Sequence, residues 1–165
     1  FAERAIATGV CGCNLEDTDH ERGGGRVPVE TQARRLADLV AACRRLGRPM
    51  VLNARVDPFL DGSLSLEEQV EETVRRGRAY LDAGADCVYP IAVGVLSERT
   101  VATLVERIEG PVNILYRPGG PSLDRLRELG VRRVSFGTSL HRIIAARVDE
   151  IADGLRRRDT SVLGG

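Results

Sequence analysis

Short apolar runs alternate with longer stretches of helical periodicity along the whole chain. The runs Gly9–Glu16, Pro49–Arg55, Asp86–Ile91, Pro111–Tyr116 and Arg132–Gly137 have the length of strands. Helical patterns follow them over Val29–Leu46, Leu66–Ala83, Ser97–Ile108, Ser122–Leu129 and Ser139–Arg157. This alternation predicts an α/β fold on a parallel sheet. Ser65 stands three residues before Glu68, the spacing of a capping box, and Ser97 and Ser122 sit where helix N-caps are expected. Gly47, Gly84, Gly110 and Gly130 stand just past helix ends, where a left-handed residue is wanted.

Parallel strands are buried on both faces and should read as continuous apolar runs, so their polar residues are informative. Asn14 and Glu16 share one face of the first strand, opposite Cys11, Cys13 and Leu15. Asn53, Arg55 and Asp57 share a face of the second, Asn113, Leu115 and Arg117 a face of the fourth, and Ser135 and Gly137 a face of the fifth. The polar positions keep one parity and gather toward the C-terminal strand ends. A barrel with a ligand-binding mouth predicts that pattern. Five β/α units fall short of eight, and a closed barrel takes about 250 residues. Residues 1–165 are therefore expected to be the C-terminal part of one (β/α)8 TIM barrel, strands 4–8 with strands 1–3 absent. Phe1–Thr8 is read as the end of a preceding helix, and 158–165 as a flexible tail.

Composition narrows the function classes. The 24 basic and 24 acidic residues cancel, which argues against nucleic acid or an anionic membrane as the main partner. Every basic residue is Arg, so no lysine Schiff base is available. Four cysteines without a CxxC pair suit a reducing, cytoplasmic setting, and Cys11 and Cys13 read as small buried hydrophobes. Asn113 and Ser135 are open to two readings, as ligand contacts or as partners that satisfy each other. Glu16 and Arg55 could likewise pair structurally, but a buried Glu beside a buried Arg is costly and favours a site. Arg suits the acid group of a substrate through its planar fork, and Glu suits an oxygen-preferring divalent cation. Asp57 either orients Arg55 or ends the strand in a turn with Pro58. Gly23, Gly24 and Gly25 read as the hinge of a lid, with His20 and Arg22 as lid residues and a solvated surface loop as the plainer alternative.

The runs Gly12-Cys13-Asn14-Leu15-Glu16-Asp17, Asn53-Ala54-Arg55-Val56-Asp57 and Ala83-Gly84-Ala85-Asp86-Cys87-Val88 resemble the isocitrate lyase/phosphoenolpyruvate mutase (phosphonomutase) family. Gly110-Pro111-Val112-Asn113 and Leu129–Gly137 continue the resemblance in the same order, over essentially the whole chain. The resemblance implies a Mg²⁺-dependent lyase or phosphonomutase. Such an enzyme makes or breaks a C–C or P–C bond beside the carbonyl of a 2-oxo acid or phosphonate, through an enolate-like intermediate. It implies Glu16 as a catalytic metal-shell residue and Arg55 as the catalytic grip on the substrate's acid group. Asn14, Asn53, Asn113 and Gly137 are then further substrate contacts, and a homo-oligomer that exchanges its last helix is expected.

Three departures qualify the likeness. The family's other metal carboxylates lie upstream of Phe1, so weak or absent Mg²⁺ binding is expected of this chain alone. The segment Thr18–Arg26 lacks the cysteine acid of isocitrate lyases. Arg117 stands where relatives carry a small residue. A metal-dependent aldolase of the wider pyruvate/phosphoenolpyruvate barrel group, or a non-catalytic half-barrel fragment, are the alternatives.

Overall fold

The computed structural model describes Ala2–Gly164. These residues divide into an N-terminal unit ending at Ser135 and a C-terminal unit beginning at Phe136. The N-terminal unit is α/β. Helix α1 (Ala2–Ala7) leads into β1 (Gly12–Glu16), and two-residue strands β2 (Thr18–Asp19) and β3 (Gly25–Arg26) form a small antiparallel ladder. Then follow α2 (Val29–Arg45), β4 (Val51–Val56), α3 (Leu66–Asp82), β5 (Cys87–Pro90), α4 (Glu98–Ile108), β6 (Asn113–Leu115), α5 (Leu123–Glu128) and β7 (Arg133–Ser135).

Strand β4 is flanked by β1 and β5, all parallel, and β6 pairs with β7, also parallel. A Val88–Val112 bridge joins the two sheets, and the Val88 amide donates to Pro111 O at 2.9 Å. The order is therefore β1-β4-β5-β6-β7. These five strands form an open parallel array, and the described residues form no closed barrel.

Apolar positions account for the elements. The buried residues of α2 (Val29, Gln32, Leu36, Leu39, Cys43) recur at three- and four-residue steps, the stripe of a helix packed on a sheet. In α4 the stripe is Thr100, Val101, Leu104 and Ile108. Val29 and Leu36 of α2 and Val101, Leu104 and Ile108 of α4 meet Ala54, Val56, Val88, Val112 and Ile114 in one core. A smaller cluster joins Ala2, Leu39, Cys43, Met50 and Leu52.

The three serine caps form. Ser65 and Glu68 make the reciprocal capping box, and the hydroxyls of Ser97 and Ser122 accept the amides of Thr100 and Arg125. Gly47, Gly84 and Gly130 take the left-handed conformation. After α4, Glu109 takes it instead, at φ 58°. Gly110 serves close approach, since a Cβ there would lie 2.5 Å from Leu81 Cδ1. Cys13 is half-buried and Cys43 and Cys87 are buried, but Cys11 is exposed, contrary to the sequence expectation, because it precedes β1 at the sheet's outer edge.

The C-terminal unit is α6 (Ser139–Arg156) followed by a 3₁₀ turn, Ser161–Leu163. Val162 lies against Gly154, and Arg147 donates to Val162 O at 2.8 Å. Leu140, Ile143, Ile144 and Val148 of α6 are exposed. Among the described residues, no helix is long and apolar enough to cross a membrane.

Candidate functional site

The sheet register brings the polar parity into line. Asn14 sits beside Asn53, and Asn53 beside Cys87; one pleat further on, Glu16 sits beside Arg55, and Arg55 beside Tyr89. On the other pair, Asn113 is level with Arg133 and Leu115 with Ser135. Side chains two residues apart share a face, so these residues project from one face of the sheet.

Arg55 is the centre of the group. Its Nη1 pairs with Glu16 Oε2, and its Nε donates to Asp57 Oδ1 at 2.7 Å. The Arg55 side chain is 28% exposed and Glu16 31%, whereas that of Asp57 is 1% exposed. Burial opposes the Arg55 charge, but the Asp57 hydrogen bond and the charges of Asp57 and Glu16 outweigh it. The guanidinium is held above its usual pKa. Asp57 thus orients Arg55 and also caps a 3₁₀ turn, Pro58–Leu60, so both sequence readings of it hold.

His20, 68% exposed, brings Nε2 to 2.5 Å from Glu16 Oε1. It reaches Glu16 from the short 3₁₀ turn His20–Arg22 inside the β2–β3 connection. Gly23 and Gly24 there have φ of 86° and 97°, conformations that glycine adopts without steric cost, and Gly25 opens β3. The Gly24 amide donates to Asp19 O at 2.9 Å. Arg26 bonds Asp61 at 2.8 Å, tying this segment to the turn after β4. Beneath it opens a cleft of about 490 Å³ lined by Thr18, Gly25, Arg26, Asp57, Leu60 and Asp61.

The asparagines bond one another. Asn53 Nδ2 donates to Asn14 Oδ1 at 2.8 Å, and Asn113 Nδ2 donates to Ser135 Oγ at 3.0 Å. Asn53 Oδ1 is buried without a partner among the described residues, an acceptor available to a ligand or water. Gly137 belongs to the C-terminal unit, with φ 54°.

Several residues escaped the sequence reading. Tyr89 lies level with Arg55; burial raises its hydroxyl pKa, and Ser135, Arg55, Arg117 and Arg133 counter that rise. Strand parity could have found Tyr89 and Arg133. Asp17, Arg76 and Tyr80 form a buried cluster below the site. Arg76 and Tyr80 are four apart on the buried stripe of α3, and an arginine there was the signal.

The chain matches the phosphoenolpyruvate phosphomutase family over residues 1–156. It belongs to that family. Among solved structures, a candidate phosphonomutase from Burkholderia cenocepacia J2315 superposes with a TM-score of 0.84 at 29% identity, over 92% of this chain and 60% of that one. A 2,3-dimethylmalate lyase, a PEP mutase/isocitrate lyase superfamily member, matches at TM-score 0.77 and 27% identity, over 94% of this chain and 54% of the other. An oxaloacetate acetylhydrolase in complex with its product oxalate also matches at TM-score 0.77 and 27% identity, over 99% and 55%. The chain thus spans a little over half the length of these relatives. No curated protein matches it by sequence. The resemblance drawn from the Glu16 and Arg55 runs is therefore to the right family.

Proposed function

We propose that the protein is a lyase or phosphonomutase acting on a small 2-oxo acid or phosphonate, working on the C–C or P–C bond beside its carbonyl. The observation that carries this reading is the Glu16–Arg55–Asp57 row at adjacent strand ends, in a chain of this family. Arg55 is charged at every working pH, aimed by Asp57 and open to solvent on one side, which suits a carboxylate or phosphonate. Glu16 with His20 on its other oxygen forms a carboxylate–imidazole pair able to hold a proton beside the substrate. Asn14, Asn53 and Asn113 complete the substrate contacts in this reading. The His20–Arg26 segment, with Gly23, Gly24 and Gly25, is its lid. The five β/α units correspond to strands 4–8 of a (β/α)8 barrel, and α6 carries self-association through its exposed apolar row.

The Mg²⁺ that the family resemblance implies is not accommodated by these residues alone. Glu16 is the one carboxylate of the row besides Asp57, and it is engaged by Arg55 and His20. Among the described residues no group of three or more His, Cys, Asp or Glu is placed to hold a metal ion. A Mg²⁺ site at Glu16 needs carboxylates from outside this set.

The test is turnover by the full-length protein, with Mg²⁺ supplied, against phosphonopyruvate and oxaloacetate in parallel. Cleavage of a P–C or C–C bond, abolished by Arg55→Met, is the expected result. Aldol turnover alone would favour the metal-dependent aldolase, and inactivity on the whole panel would reject the proposal.

A further inference from the structure

Below the row lies a polar cluster to which the proposed chemistry gives no task. Asp17 and Tyr80 are fully buried and Arg76 is 5% exposed. Asp17 Oδ2 accepts from Arg76 Nη1 and from the Tyr80 hydroxyl, both at 2.9 Å. Asp17 Oδ1 accepts the backbone amide of Asp57 at 3.0 Å. Asp57 in turn accepts Arg55 Nε at 2.7 Å and the Thr18 hydroxyl at 2.5 Å. A continuous chain of hydrogen bonds therefore runs from Tyr80 and Arg76, through Asp17 and Asp57, to Arg55.

Arg76 makes a second connection. It donates to Val27 O at 2.9 Å, while Glu72 accepts its Nε at 2.7 Å. The Val27 amide donates to Asp17 O at 2.8 Å. Asp17 and Val27 bracket the segment that carries His20, so its two ends are closed on each other and on α3.

Burying a charged pair costs several kcal/mol, and well-packed apolar residues are often as stabilising in its place. Stability alone thus gives no reason for an Asp–Arg pair at this depth. Its position, one hydrogen bond from Asp57, does. We propose that Asp17, held by Arg76 and Tyr80, is a positioning residue: through the Asp57 amide it fixes the carboxylate that aims Arg55. This rests on the reading that Arg55 receives the substrate's acid group.

The test compares Asp17→Ala with Asp17→Asn in the full-length protein. Both lose the charge pair with Arg76, but Asn keeps an oxygen for the Asp57 amide. Three readouts are taken: thermal stability, oxalate affinity by calorimetry, and solvent exchange of the Arg55 Nε proton by NMR. Positioning predicts a loss of oxalate affinity of about tenfold or more in Asp17→Ala, with Asp17→Asn within about threefold of wild type. It also predicts faster Arg55 Nε exchange in Asp17→Ala only. Equal losses in both variants, in step with their stability, would overturn the proposal. If Asp17→Ala does not fold, Tyr80→Phe decides: faster Arg55 Nε exchange supports the proposal and an unchanged rate overturns it. A wild-type protein that binds no oxalate counts against the substrate reading, while the exchange measurement still reads the positioning.

Discussion

At the scale of single residues, the electrostatics of the segment around His20 can be titrated. Asp61 anchors Arg26, and the Ser63 hydroxyl and amide together with Arg26 draw its carboxyl down to about 2. A depressed folded pKa gives stabilisation that is complete above the unfolded value near 3.8 and fades as the pH falls through the folded one. The Arg26–Asp61 tie should therefore persist to about pH 3 and be half lost at about 2, while its contribution to stability fades between about 4 and 2. Carboxyl NMR of Asp61 across that range checks it, and a midpoint near 4 would remove the anchor. The thiols form a second test. Burial pushes Cys87 up to about 11, so it should stay unreactive to an aromatic disulfide reagent at neutral pH. Exposed Cys11 should react first, as peptide mapping of the labelled native protein would show.

Among elements, helix starts and strand parity were the legible parts, because both are local. A serine hydroxyl at an N-cap and side chains two apart on a strand need no knowledge of distant contacts. Ser65→Ala removes the hydroxyl that accepts the Glu68 amide, leaves the Ser65 backbone amide on the Glu68 carboxylate, and should lower stability by about 1 kcal/mol in denaturant unfolding. Gly12 is a different matter. A Cβ there would lie 2.8 Å from Val51 O, so Gly12→Ala should force β1 from β4 and cost about 1–3 kcal/mol. Nothing local announces that contact, since it depends on the β1–β4 register. The stripe of α3 marked Arg76, but its partners were illegible for the same reason: Asp17 and Val27 lie 59 and 49 residues away. The alternation of the strands did align Glu16 with Arg55, but it could not show His20 folding back onto Glu16. Whether Asn113 and Ser135 partner each other was likewise settled only by the β6–β7 register.

For the molecule as a whole, one parallel array carries a charged row at one end, in a chain that covers little more than half of its relatives' length. Self-association through α6 is open to direct measurement. Sedimentation should give an assembly larger than one chain, and Ile143→Asp with Ile144→Asp should shift it toward monomer. An unchanged sedimentation profile would contradict that part of the account. The central claim is that Arg55 binds the acid group of the substrate. Oxalate titration of wild type and Arg55→Lys tests it most directly, because lysine keeps the charge but loses the planar fork. A charged hydrogen bond of about 1.5–3 kcal/mol predicts an affinity about ten- to a hundredfold weaker in the variant, with folding retained. Equal oxalate affinity in the two proteins would contradict it.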